Sequence, residues 1–301
     1  MPPSVPWIEA AEVETYLDGA DLGGADVDDV ARAFVTDLHR DGVAVVDLGP
    51  QAHALIDRAR ADAEPFFAKD ARRAQDVWRR SEAVQALAVH PRITALLALA
   101  YGRQPFAFQT LNFRQGSEQH AHSDAAHFHS LPPRFMRGAW LALEDVAPDA
   151  GPLFYHPGSH RQPIFEMRDA GVVDRRPRRG DYAAHYVEAF ARQVEGERRT
   201  ALLKKGQVLV WAANTTHGGL AIAQPGATRR SLVTHFFFED CVYYTPLYSR
   251  PEAGQLYMRL PADVRTGGWV WPRQDGKRVP LGPRPILQAL RDRLARIVRV
   301  D

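Results

Sequence analysis

From Gln104-Pro105 onward the chain breaks into short runs dense in aromatic and β-branched residues: FAFQTLNF, RGAWLALED, PLFYH, GQVLVWAA and RSLVTHFFFED. Each run is bounded by Gly, Pro or Asp, which end strands and open turns. Such residues fit a pleated, buried surface, and runs this short are stable only when paired. The pattern therefore predicts a β-sandwich or barrel. Before it the chain reads as mainly helical. Asp28 to Arg40 sets Val30, Ala33, Phe34 and Leu38 on one face and is ended by Asp41-Gly42. VAVVDLG follows as a strand, and helical patterns recur near 51–64, 81–88 and 92–100. A further helical segment, Asp181 to Val194, interrupts the strands. Residues 245–283 show no period, and an amphipathic helix, Ile286 to Val298, closes the chain. Helices followed by many strands predict a mainly β core with flanking helices. One domain over residues 1–301 is expected: helical support 1–103, β core about 104–245, C-terminal extension and helix 246–301.

Composition narrows the functional classes. A formal charge of +2 is too small to make nucleic acid or an anionic membrane the main partner. The run Arg175, Arg176, Arg178, Arg179 reads as a solvated loop. The single cysteine, Cys241, excludes an internal disulfide and fits a reducing, cytoplasmic compartment. The acidic start MPPSVPWIEAAEVE lacks the apolar centre of a signal peptide. The apolar stretch Ile93 to Tyr101 is about half of what a bilayer crossing needs. No residue pattern speaks for an oligomeric state.

The chemistry concentrates in EQHAHSDAAHFHS, residues 118–130, which holds four of twelve histidines. It lies where an aromatic strand ends. On a strand, residues i and i+2 share a face about 6–7 Å apart. His120 with His122, and His122 with Asp124, meet that spacing; His120 with Asp124 does not. His122 belongs to both pairs. A third ligand must come from elsewhere, and His217 in VLVWAANTTHGGLAIA is the best candidate, at a strand end before Gly218-Gly219. Arg229 follows twelve residues later. Two histidines and one carboxylate on one side of an ion leave three positions open, which suits a non-haem iron(II) oxygenase.

The set His122-x-Asp124, His217 and a following arginine resembles the signature of Fe(II)/2-oxoglutarate dioxygenases, and more narrowly of the phytanoyl-CoA dioxygenase family. MRGAWLALEDVAPDAGPLFYHPGSHR is similar to that family's strand–turn–strand ending in Pro-Gly-Ser-His, and GQVLVWAANTTHGG to the strand leading to its distal histidine. The resemblance covers roughly residues 28 to 240. It implies a double-stranded β-helix (jelly-roll) fold, Fe(II) and 2-oxoglutarate as cofactors, O2 as cosubstrate, and His122, Asp124 and His217 as metal ligands. The family's arginine usually falls eleven residues after the distal histidine, which here is Thr228. One residue is therefore inserted in the AIAQPGA loop. Arg229 is preferred to Arg230 as the 2-oxoglutarate anchor because Arg229-Arg230-Ser231 forms the R-x-S pattern, and a guanidinium offers a carboxylate two parallel donors. Asn112, Gln109 and Trp140 fall in segments that contact the cosubstrate in relatives.

The activity this implies is oxidation of a C–H bond in a small-molecule metabolite, by hydroxylation or oxidative cyclisation, coupled to decarboxylation of 2-oxoglutarate to succinate. Kinship with oxygenases that tailor sugar-containing antibiotics, orthoester-forming ones included, implies a sugar-containing substrate in secondary metabolism. Two other readings stand beside it. A halogenase would have Gly or Ala where this chain has Asp124, so the carboxylate argues against it. A non-catalytic jelly-roll that binds a metal or small ligand would not need the arginine. His120, His127, His129, His156 and His160 read as supporting or pocket residues rather than ligands, with His160 structural. Tyr243, Tyr244, Tyr248, Tyr257, Trp269 and Trp271 read as core packing.

Overall fold

Asp28 accepts a hydrogen bond from the Ala31 N–H (2.7 Å), and this cap starts α1 (Asp29–Asp41). Gly42 ends it in the left-handed conformation, its N–H bonded to Leu38 O. A side chain at Gly42 would also collide with the His160 ring, so both backbone and packing require glycine there. The computed structural model describes residues 5–9, 28–67, 71–173, 175–178, 180–295 and 299–300. After α1 come β1 (Val43–Asp47), α2 (His53–Ala63), β2 (Arg73–Gln75), α3 (Glu82–Ala88), α4 (Pro91–Tyr101), β3 (Pro105–Phe113), β4 (His129–Leu131), β5 (Met136–Ala142) and β6 (Leu153–Tyr155). Then follow α5 (Val187–Arg192), β7 (Arg199–Ala201), β8 (Gln207–Ala212), β9 (His217–Gly219), β10 (Ser231–Phe238) and β11 (Val242–Tyr244). The chain closes with β12 (Arg273–Gln274), β13 (Lys277–Arg278), α6 (Pro283–Ala295) and β14 (Arg299–Val300).

The strands form a seven-stranded antiparallel sheet, β1-β8-β5-β10-β3-β2-β14, facing a smaller one, β7-β6-β9. At the centre of the large sheet β5 and β10 are buried on both faces, which is why they read as nearly continuous apolar runs. Its outer face (Ala44, Ala139, Leu141, Val210, Leu232, Phe236) packs with the helices through Phe34, Val35, Leu38, Ile56, Leu97 and Tyr101. Its inner face (Val43, Phe113, Trp140, Leu209, Trp211, Val233) packs against Leu153 and Ala201 of the small sheet. Each such aliphatic or aromatic side chain contributes about 1.5–3 kcal/mol when taken out of water. The architecture is the expected jelly-roll with helices on one sheet.

Three local expectations are corrected. On α1 the buried stripe is Phe34, Val35 and Leu38, whereas Val30 and Ala33 are exposed, because the sheet covers a face rotated from the one expected. The stretch Glu82–Tyr101 is, with mean hydropathy 1.4, long and apolar enough by composition to cross a membrane. It is broken at Val89–His90 into α3 and α4, and both helices bury apolar residues in the main core. The third concerns 181–194, where the helix opens with a wide π-turn, Tyr182–Tyr186, before α5. The end expected for the last helix, 296–298, lies outside the described residues.

Candidate metal centre and cosubstrate pocket

His122 and His217 face each other as an antiparallel bridge in which each backbone N–H donates to the other's carbonyl, at 2.9 and 3.0 Å. The bridge extends the small sheet and puts the two imidazoles 4.4 Å apart, centroid to centroid. Each Nδ1 sits against a carbonyl, His122 on His120 O (2.8 Å) and His217 on Thr215 O (2.9 Å). A carbonyl only accepts, so Nδ1 carries the proton in both rings and Nε2 keeps its lone pair for an ion.

Asp124 does not continue a strand, as the i, i+2 argument assumed. It opens a single turn, Asp124–Ala126, whose carbonyl accepts from the N–H groups of His127 and Phe128 (both 2.9 Å). The turn swings the carboxylate inward, with Oδ1 4.0 Å from His122 Nε2 and Oδ2 3.9 Å from His217 Nε2. One donor atom from each of the three residues lies within 4.8 Å of the others, all buried, and no other such group occurs among the described residues. Ligand bonds of about 2.0–2.2 Å to a first-row ion match such separations. Burial opposes ionisation of Asp124, but the hydrogen bonds it accepts within the ring of His217, His235 and His122 outweigh it and hold the carboxyl well below its usual range. Burial, aided by His122, pushes His217 down to about 4 and keeps it neutral, as a ligand must be. His120, by contrast, is exposed and serves through its carbonyl.

A second feature lies along the same inner face. Arg229 is almost fully buried; its Nη1 donates to Gly151 O (2.9 Å) and its guanidinium lies 5.3 Å over the Trp140 ring. Burial lowers its pKa to about 10. Arg229 Nε, Ser231 Oγ and Trp140 Nε1 are buried with no hydrogen-bond partner among the described residues. A buried cation beside unpaired donors calls for an anionic acceptor, and a carboxylate suits a guanidinium with hydroxyl and indole donors at hand. Arg230 points the other way, pairing with Glu144 (3.3 Å) and Glu64 (3.4 Å), so the two arginines are distinguished by their surroundings.

Register sorts the remaining candidates. Trp140 is opposite Val233, and Gln109 opposite His235, so both share the inner face with Ser231. Asn112 is opposite Leu232 and Ala74, on the helix-covered outer face, so the structure does not bring it to the cosubstrate pocket. One residue back from Gln109, Phe108 is the extra residue of a bulge, stacked on Phe237 at 4.1 Å.

Other groups at the centre escaped the sequence reading. Trp211 Nε1 donates to Asp124 Oδ2 (2.9 Å), and His235 Nε2 lies 3.5 Å from the same oxygen. Alternation from Ser231 through Val233 to His235 on one strand face was the available signal. Tyr182 reaches the site from its π-turn, 4.9 Å from the His127 ring; burial and then the Asp124 charge raise its pKa to about 12. Burial with His122 nearby lowers His127 to about 4. His160 is structural as expected: its ring packs on Gly42 and its carbonyl accepts from Arg134 (2.7 Å).

The sequence matches the phytanoyl-CoA dioxygenase family over residues 38–231. No curated protein sequence matches the chain. Among solved structures, the epimerase SnoN in complex with Fe3+, alpha ketoglutarate and nogalamycin RO is 20% identical, covering 83% of this chain and 96% of its own, with a TM-score of 0.54. EctD from S. alaskensis is 18% identical over 88% of this chain and 92% of its own (TM-score 0.55). AviO1 from Streptomyces viridochromogenes Tue57 is 18% identical over 72% and 97% (TM-score 0.51). At these identities the likeness is one of fold.

Proposed function

Because the chain belongs to the phytanoyl-CoA dioxygenase family, we propose that it is an Fe(II)/2-oxoglutarate-dependent oxygenase that oxidises a C–H bond of a small-molecule metabolite. The observation that carries this reading is the pairing of the His122–Asp124–His217 set with a buried Arg229 whose neighbouring donors lack acceptors. The two features divide the work. His122, Asp124 and His217 would hold iron(II) through two neutral imidazoles and one carboxylate, leaving half of an octahedral shell for other ligands. Arg229 and Ser231 would take the far carboxylate of 2-oxoglutarate, with Trp140 beside them. When bound, iron and 2-oxoglutarate supply the oxidising power, with release of succinate and CO2. The protein's part would be to orient and to keep water out, and the apolar cluster of Trp140, Val233, Phe113 and Leu209 on the same inner face would serve that purpose.

For substrate we propose a tailoring intermediate of a sugar-containing antibiotic, hydroxylated or oxidatively cyclised. The fold shared with AviO1 and with SnoN, whose complex contains nogalamycin RO, supports this choice. His127, Tyr182 and Phe128 would line the substrate side. The Asp124 carboxylate occupies the position a halogenase leaves to chloride. The test is succinate formation from 2-oxoglutarate by iron-loaded protein under O2, screened against glycosylated intermediates, with product mass measured in chloride buffer. Substrate-stimulated succinate with an oxygenated or dehydrogenated product is expected. Absence of turnover in the presence of bound iron, or a chlorinated product, would overturn the reading.

A further inference from the structure

Trp211 of β8, Gly138 of β5, His235 of β10 and Gln109 of β3 are successive register partners, forming one row across the inner face of the large sheet. The row lacks a side chain at its middle. A Cβ on Gly138 would come within 2.2 Å of the Trp211 ring, so the indole occupies the space that glycine leaves. From that position Trp211 Nε1 donates to Asp124 Oδ2 at 2.9 Å, and His235 Nε2 stands 3.5 Å from the same oxygen. The two oxygens face different imidazoles: Oδ1 lies 4.0 Å from His122 Nε2, and Oδ2 3.9 Å from His217 Nε2.

We propose that Trp211 and His235 are positioning residues that grip Asp124 Oδ2 from the sheet, so that Asp124 gives the metal one oxygen, Oδ1, rather than two. A carboxylate free to swing could bind through both oxygens and take a coordination position that the reaction needs open. The Trp211 hydrogen bond, with His235 Nε2 against the same oxygen, removes that freedom and fixes the direction of the other. The Trp211–Gly138–His235 row thus sets how many positions remain for cosubstrate and oxygen. This rests on the metal-centre reading above.

The test uses cobalt(II) as probe, titrated into metal-free full-length protein, with affinity and the visible absorption of the bound ion as readouts. Trp211→Phe and His235→Leu are each expected to weaken binding about ten- to a hundredfold and to alter the spectrum. His235→Gln, which offers an amide N–H in place of the imidazole N–H, is expected to restore both. His122→Ala locates the site. If the wild type binds cobalt no better than His122→Ala, the metal-centre reading itself fails. If the wild type binds at the triad and Trp211→Phe and His235→Leu leave affinity and spectrum unchanged, the grip is refuted and the triad stands. Equal loss in His235→Leu and His235→Gln also refutes it, because packing rather than donation then explains the effect. Should Trp211→Phe fail to fold, the two His235 variants decide the matter alone.

Discussion

Arg229 and Arg230 are consecutive, equally basic in sequence and opposite in surroundings: one lies buried over Trp140, the other pairs with Glu144 and Glu64. If Arg229 anchors 2-oxoglutarate as proposed, replacing it with lysine would remove a two-pronged, charge-assisted contact worth about 1.5–3 kcal/mol. Arg229→Lys should therefore raise the 2-oxoglutarate concentration needed for half-maximal turnover roughly ten- to a hundredfold. Arg230→Lys, which loses only partly solvated pairs, should shift it by less than about threefold. Saturation curves for the two variants check this, and equal shifts would contradict it. Gly138 gives a second test. An added methyl must displace the Trp211 ring or the strand beneath it, and overpacking of this kind costs about 1–3 kcal/mol. Gly138→Ala should lower the thermal midpoint and weaken iron(II) binding together, as calorimetry and metal titration on one preparation would show.

At the scale of elements, two backbone devices assemble the metal set: the His122–His217 bridge and the turn that begins at Asp124. Side chains that only adjoin these devices should be dispensable. His122→Ala and His217→Ala should abolish stoichiometric iron binding, whereas His120→Ala, which keeps its carbonyl, should retain it; metal analysis after gel filtration distinguishes them. The strands and helices were legible because their signals are local: aromatic runs between Gly, Pro and Asp, the Asp28 cap and the Gly42 stop. His122, Asp124, His217 and Arg229 were legible as a spaced set. The turn at Asp124 was not, because a period-two expectation continues a strand until a tertiary contact ends it. The face of Asn112 was not, because alternation tells which residues share a face but not which face turns inward. Trp211 and His235 were hidden by ordinary surroundings, an indole and an imidazole within apolar strands whose common target lies far away in sequence.

For the whole molecule, the buried histidines set a pH limit. His129 is held near 4, by burial and then by Arg134, and His160 near 3, by burial and then by Arg137, against about 6.5 in an unfolded chain. Below 6.5 the unfolded chain binds protons that the folded one refuses. Their contribution is therefore complete above 6.5 and is lost as pH falls from 6.5 toward 4. The loss is about 1.4 kcal/mol per pH unit for each fully discriminating group. Denaturant midpoints of metal-free protein should hold steady from pH 8 to 7 and fall from 6.5 to 4.5, with a shallower fall in His129→Gln; a flat profile in that window would contradict the assignment. The His122–His217 bridge has a consequence of another kind, for time rather than energy. Backbone bonds already hold the two imidazoles together, so an arriving ion has little chain left to order and binds quickly. Leaving is different, because a complete parting of these ligands must break both bridge hydrogen bonds at the edge of the small sheet. How long the metal stays is then tied to how seldom that edge opens, and amide exchange at His122 and His217 becomes a clock for metal loss.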